Sequence, residues 1–200
     1  IYLYDEPALR DWGKIHEASD VITGLEPGMA RLDSIQPEPR LEGYVSIWCP
    51  NVEAAYLYRD RIADRFAAGD QVWWYTCVTP KYPFPGYLLD DDAIAPRLLF
   101  WMQALYGMSG SMYINTIHWG PEGWDPWERG VISMPQQSNN HDGLLMYSGR
   151  EPDGCYPVSS VRLEMIRDGI EDWELLQLLR GTAPAAARRV GAPPSLADNW

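Results

Sequence analysis

Two adjacent carboxylates, Asp5 and Glu6, end an apolar, aromatic and β-branched run from Ile1 to Tyr4 and are followed at once by Pro7. Such a run has the composition of a strand buried on both faces. Ionised acids at the end of a buried strand are unfavourable unless they are paired or functional, and a pair of carboxyl groups can do general acid–base work. Pro7 ends the ladder and restricts Glu6 to extended backbone. Neighbouring strand residues point to opposite faces, so both acids reach one pocket only if the strand loosens there. The plainer alternative is that one of them caps the following helix, and the pattern alone leaves both readings open.

Aromatic side chains are the second feature, with 10 Trp and 12 Tyr against 3 Phe. Amphipathic rings suit surfaces that grip something with both an apolar face and hydroxyl groups, as a sugar has. Trp48, Trp74, Tyr75, Trp119, Trp124 and Trp127 are the candidates. For any one Trp, core packing is the simpler reading. The clustering of Trp119, Trp124 and Trp127 in a loop is harder to bury without a reason. His16, His118 and His141 are scattered, and Cys49, Cys77 and Cys155 lie far apart without metal-type spacing, so neither a metal nor a cofactor is expected. No Ser nucleophile elbow, phosphate loop or Cys–His arrangement stands out. The charges of "RLEMIRDGIEDWE" (162–174) lie three or four apart and read as ion pairs along a helix.

The elements that must position these residues alternate. Leu9, Trp12, Ile15 and Ile22 predict a helix broken at "EPGM" (26–29). Short strands are predicted at "ARLDSIQ" (30–36) and "GYVSIWCP" (43–50). A helix runs from an Asn51 cap to Ala68, and a strand follows at "QVWWYTCVTP" (71–80). Ile94, Leu98, Met102 and Leu105 predict a helix ending near Gly107, followed by a strand at "GSMYINTIHW" (110–119). The irregular stretch from Gly120 to about Tyr156 is long enough to serve a site. Ser160 caps a last helix with a stripe of Leu163, Ile166, Ile170, Trp173 and Leu176, and the tail 181–200 reads as weakly structured.

Strands apolar on both faces, alternating with helices, define an α/β protein with a covered parallel sheet. No Gly-rich loop follows any strand, which disfavours a doubly wound dinucleotide-binding sheet and the oxidoreductase reading that goes with it. The polar and aromatic residues collect just after the strands, where barrel enzymes build their sites. A full barrel takes about 250 residues, so residues 1–180 read as the later half of a (β/α)8 barrel. The chain starts inside a strand, without Met or a signal sequence, and so reads as a fragment. The net charge of −12 argues against nucleic acid or an anionic membrane as partner and is compatible with a neutral ligand.

The order "YDEP", "WCP", "VWWYTCVTP", "PRLLFWMQALYGMSG", "MYINTIHW", "HDGLLMYSG" and "PVSSVRLEMIRDGIEDWELL" resembles the catalytic domain of glycoside hydrolase family 123 over nearly the whole chain. The resemblance implies a (β/α)8 barrel, usually behind a β-sandwich domain, with β-N-acetylgalactosaminidase activity, a carbohydrate substrate and an extracellular or periplasmic setting. It also implies that Asp5 and Glu6 are the catalytic pair and that Trp48, Tyr75 and Trp119 line the sugar pocket. The missing N-terminal half of the barrel would be the chain's structural partner. The sequence departs from the family pattern at Ile114, His141 and Ser148. An adjacent pair suits substrate-assisted cleavage, in which the 2-acetamido oxygen replaces a protein nucleophile. Asp5 would then hold the acetamido group, Glu6 would be the acid/base, and Tyr75 would orient the acetamido carbonyl. A catalytically inactive sugar-binding domain would share the aromatic residues and differ in the acids.

Overall fold

The computed structural model describes residues 1–119, 125–127, 141–150 and 156–182. Trp124, Cys155 and the tail beyond Thr182 lie outside the described residues. The chain divides into two compact units, one on residues 1–75 and 105–112, the other on residues 76–104 and the described residues from Tyr113 onward.

The first unit is a parallel sheet covered by helices. After a single 3-10 turn at Leu9–Asp11 come α1 (Trp12–Leu25), β1 (Leu32–Asp33), β2 (Ile47–Trp48), α2 (Val52–Leu57), α3 (Arg59–Ala68) and β3 (Gln71–Tyr75). Helix α4 (Ala95–Tyr106), whose residues up to Ala104 belong to the second unit, leads into β4 (Gly110–Met112). The strands pair in chain order, β1-β2-β3-β4, all parallel. This is the mixed α/β class that the alternating pattern predicted. The Asn51 carboxamide accepts the Ala54 N–H at 2.7 Å, the cap expected at the start of α2. The single helix expected over 51–68 is instead two helices, parted at Tyr58.

Strand alternation sorts the aromatic residues. Trp48, Val72 and Trp74 share one face and are fully buried. Leu32, Ile47 and Cys49 lie buried in a second cluster, with Trp73, Tyr75 and Met112 packed against it. Trp74 meets Tyr106 edge-on with ring centroids 6.4 Å apart, and the Trp48 indole N–H donates to Asp70 at 2.9 Å.

The stretch from Ile1 to Tyr4 is not the doubly buried strand its composition predicted. Tyr2 makes one parallel bridge to Leu32, closed by hydrogen bonds of 2.8 Å from Leu3 N–H to the Leu32 carbonyl and from Leu32 N–H to the Ile1 carbonyl. Among the described residues it has a neighbour on one side only, so Ile1 stays 57% and Tyr2 40% exposed. It is the open edge of the sheet.

The second unit holds a hairpin that the sequence pattern did not reveal, β5 (Met146–Ser148) antiparallel to β6 (Pro157–Ser159), followed by α5 (Val161–Thr182). The Ser160 hydroxyl caps α5 by accepting the Leu163 N–H at 3.2 Å, as expected. The predicted apolar stripe is only partly covered, with Ile170 42% exposed. Burial on α5 runs instead through Arg162 and Gly169. At Gly169 a Cβ would come within 2.6 Å of the Phe100 ring on α4, so the glycine sets how closely the two helices approach. The Arg162 guanidinium donates to the carbonyls of Tyr87 (2.7 Å), His141 (3.1 Å) and Leu144 (2.6 Å). Arg97 grips Asp172 with two bonds, 2.6 and 3.0 Å, and Trp101 adds a third at 2.7 Å. The charged run of α5 is structural, as its spacing predicted.

Candidate active site

The carboxyl edge of the parallel sheet carries a cluster of oxygen-bearing side chains in the first unit. Tyr2, Asp5 and Glu6 come from the edge segment, Ser34 from just after β1, and Tyr75 from the last position of β3. Asp5 and Glu6 are exposed, and Ser34 is buried beneath them.

The backbone at Glu6 explains how two sequence neighbours serve one place. Glu6 has φ +43°, in the left-handed region, not the extended conformation expected ahead of Pro7. Few non-glycine residues adopt this conformation, and a following proline makes it less favourable still. Strain of this kind persists where surrounding contacts over-determine it. Here the Glu6 N–H donates to Ser34 Oγ at 2.6 Å, which is the contact that holds the turn. The turn undoes the strand alternation that would have sent the two acids to opposite faces.

Each acid has its own phenol. The Tyr2 hydroxyl donates to Asp5 Oδ1 at 2.5 Å and lies 2.8 Å from Ser34 Oγ, which is itself 3.3 Å from Asp5 Oδ1. The Tyr75 hydroxyl donates to Glu6 Oε1. Burial, reinforced by Asp5, pushes the Tyr2 phenol far above its ordinary range and keeps it a donor. The capping alternative is not realised: neither Ala8 ahead of the 3-10 turn nor Asp11 ahead of α1 makes a side-chain cap bond, and the acids turn to Tyr2, Ser34 and Tyr75.

Next in sequence to Ser34 is Asp33, which is completely buried. Neither carboxyl oxygen completes a hydrogen bond, although the N–H groups of Ser34 and Tyr4 lie close enough to act on it. Burial pushes its pKa up to about 7, against the pull of the Ser34 N–H and with the Asp5 charge adding to the rise.

Of the other residues singled out in the sequence, Tyr75 reaches Glu6. Trp48 and Trp74 do not: both are 0% exposed, packed on the opposite strand face, so they are core side chains and not sugar platforms. The strand register places them there, because residues 48 and 74 alternate away from the face that carries Tyr75. Trp119, in the second unit, is 39% exposed with its indole N–H anchored on the Met146 carbonyl at 2.8 Å. Trp127 is anchored likewise on the Ser148 carbonyl at 2.8 Å and packs on Tyr147. Tyr2, Asp33 and Ser34 escaped the sequence reading. The signal was present for the last two, since "DS" follows an apolar strand at the same carboxyl edge that drew attention elsewhere. Tyr2 was hidden inside the apolar run. Among the described residues no group of three or more His, Cys, Asp or Glu is arranged to hold a metal ion, and no helix is long and apolar enough to cross a membrane.

A parallel sheet with helical cover and an exposed carboxylate pair at its carboxyl edge is the layout in which α/β enzymes carry their sites. The family profile "Glycoside hydrolase 123, catalytic domain" matches residues 1–179, and the chain belongs to that family. Among solved structures it is similar to a family 123 glycoside hydrolase from Clostridium perfringens, studied for the details of glycolipid glycan hydrolysis. The TM-score is 0.71 at 16% identity, a likeness of fold. The match covers 94% of this chain and 32% of that one, so the chain spans about a third of the length of its structural relative. A search of curated proteins found no match.

Proposed function

We propose that this chain carries the catalytic acids of a glycoside hydrolase that removes a terminal β-linked N-acetylhexosamine, N-acetylgalactosamine foremost, with the substrate's own 2-acetamido group as nucleophile. The observation that carries the reading is the strained turn at Glu6, which turns two neighbouring acids out at the same sheet edge and equips each with a phenol donor. Retaining enzymes with a protein nucleophile set their two carboxyl groups about 5–5.5 Å apart, on opposite sides of the scissile bond. Two residues consecutive in sequence extend from one side of a pocket and suit the substrate-assisted route better.

In that route Glu6 donates a proton to the glycosidic oxygen as the bond to the anomeric carbon breaks. The acetamido carbonyl oxygen attacks that carbon, and Asp5 holds the acetamido N–H and offsets the positive charge that develops. Glu6 then takes a proton from water as it opens the cyclic intermediate, so configuration is retained overall. Tyr2 and Ser34 keep Asp5 aimed. Tyr75 holds Glu6 through its hydroxyl, and in this route that hydroxyl would also orient the acetamido carbonyl. Trp119 of the second unit is 39% exposed with its indole N–H tied down, a ring of the kind that stacks on sugars, and its part in substrate binding is an expectation from the family resemblance.

The same reading extends to architecture: these strands form the later part of a (β/α)8 barrel whose earlier strands pair with the open edge at Ile1 to Tyr4. Sequential parallel order, the exposed apolar edge and the small share of the relative's length support it. The test is a panel of chromogenic β-glycosides offered to the complete protein. Hydrolysis of N-acetylgalactosaminide or N-acetylglucosaminide and not of galactoside or glucoside is the expected result. Equal hydrolysis of sugars lacking the acetamido group, or a covalent glycosyl adduct on Asp5 or Glu6, would overturn the proposal.

A further inference from the structure

Asp33 has no part in the route above, yet it feels the charge of Asp5 and is next in sequence to the serine that organises both acids. Its side chain is wholly buried, and neither oxygen completes a hydrogen bond. Ionised, it would be a buried charge without a partner, an arrangement proteins avoid by keeping the group neutral. The titratable groups that face it are Tyr2 and Asp5 from the edge segment and Cys49 from β2. Burial raises both the phenol and the thiol, which stay neutral, so no cation among these groups offsets a charge on Asp33.

We propose that Asp33 is a positioning residue for the acid pair: it works as the neutral acid, and its ionisation displaces Asp5 and Glu6 from their working geometry. The displacement follows from what surrounds it. A carboxylate at this point draws the backbone N–H groups of Tyr4 and Ser34 toward itself and repels the Asp5 carboxylate. Tyr4 is the backbone from which Asp5 and Glu6 extend, and Ser34 holds the Glu6 turn through its hydroxyl. The consequence is an alkaline limit on activity set by a residue that touches no substrate. This inference rests on the proposed roles of Asp5 and Glu6, and its test includes a signal that does not depend on turnover.

The experiment is a carbon-13 NMR titration of the complete protein with carboxyl-labelled aspartate, in the wild type and in Asp33→Asn. Asp5 is assigned by its loss in Asp5→Asn. One aspartate titrating near neutral pH, absent in Asp33→Asn, is expected. The Asp5 resonance shows an inflection at that same pH, also lost in Asp33→Asn. In parallel, kcat/KM of Asp33→Asn at pH 6 stays within about threefold of wild type while the alkaline limb moves up by at least about one pH unit, as follows when a titrating group is made permanently neutral. A wild-type titration without a near-neutral aspartate, an Asp5 resonance indifferent to it, or an alkaline limb unchanged in Asp33→Asn would each overturn the proposal; the first two need no active enzyme and the first no variant. Loss of all acetamido-specific hydrolysis with the Asp5 inflection intact would sink the proposed reaction and leave the coupling of Asp33 to Asp5 standing.

Discussion

Replacing Asp33 by Asn should make the stability of this protein less sensitive to pH, by an amount set chiefly by the burial of the carboxyl. The carboxyl is shifted from an ordinary 3.8 to about 7 in the folded state. A raised carboxyl pKa means that the native state holds its proton after the unfolded chain has released it. The wild type therefore loses stability as pH rises from the unfolded value through about 7, and the loss is complete above that. At 1.36 kcal/mol per pH unit the penalty on the native state is about 1 kcal/mol at pH 4.5 and about 4 kcal/mol at pH 8. The Asn carboxamide has its own cost, about 1–3 kcal/mol if it too finds no partner, but that cost does not vary with pH. The difference in unfolding free energy between Asp33→Asn and wild type should thus move by about 3 kcal/mol in favour of the variant between pH 4.5 and pH 8. Urea titrations of both proteins across that range measure it. Parallel pH profiles would refute the reasoning, because they would mean that Asp33 ionises in the folded state as readily as in the unfolded one.

Glu6→Gln should lower turnover of N-acetylhexosaminides by about 10²–10⁴, least for leaving groups that depart without a proton, as read from kcat across a series of aryl glycosides. Trp48→Phe should lower stability by about 1–3 kcal/mol in urea and leave KM unchanged, since Trp48 is core and its indole N–H serves Asp70. Arg162→Met should destabilise by about 3–5 kcal/mol in the same assay, because it strands the buried carbonyls of Tyr87 and Leu144. Gly169→Ala should lower the melting temperature through about 1–3 kcal/mol of overpacking against Phe100.

Local pattern carried the element order, the parallel class and the identity of the exposed acids. Apolar runs bounded by Gly, Pro and Asn mark strands and helices by rules that act over a few residues, and the Asn51 and Ser160 caps depend only on neighbours three positions away. The same locality explains the misreadings. The run from Ile1 to Tyr4 has the composition of a buried strand, but burial depends on what lies on both sides of it, and among the described residues β1 pairs with one side. Trp48, Trp74 and Tyr75 look alike as aromatics at strand ends. Only the register, Trp48 opposite Val72 and Tyr75 opposite Met112, sends two of them into the core and one to Glu6. The hairpin of Met146–Ser148 with Pro157–Ser159 joins short segments that carry little signal separately. The left-handed turn at Glu6 goes against the local preference of a residue before proline and exists because Ser34, 28 residues away, accepts its N–H. The two carboxylates were written in the sequence. Their common direction, and the burial of Asp33 next to Ser34, came from contacts between segments that only the folded chain brings together.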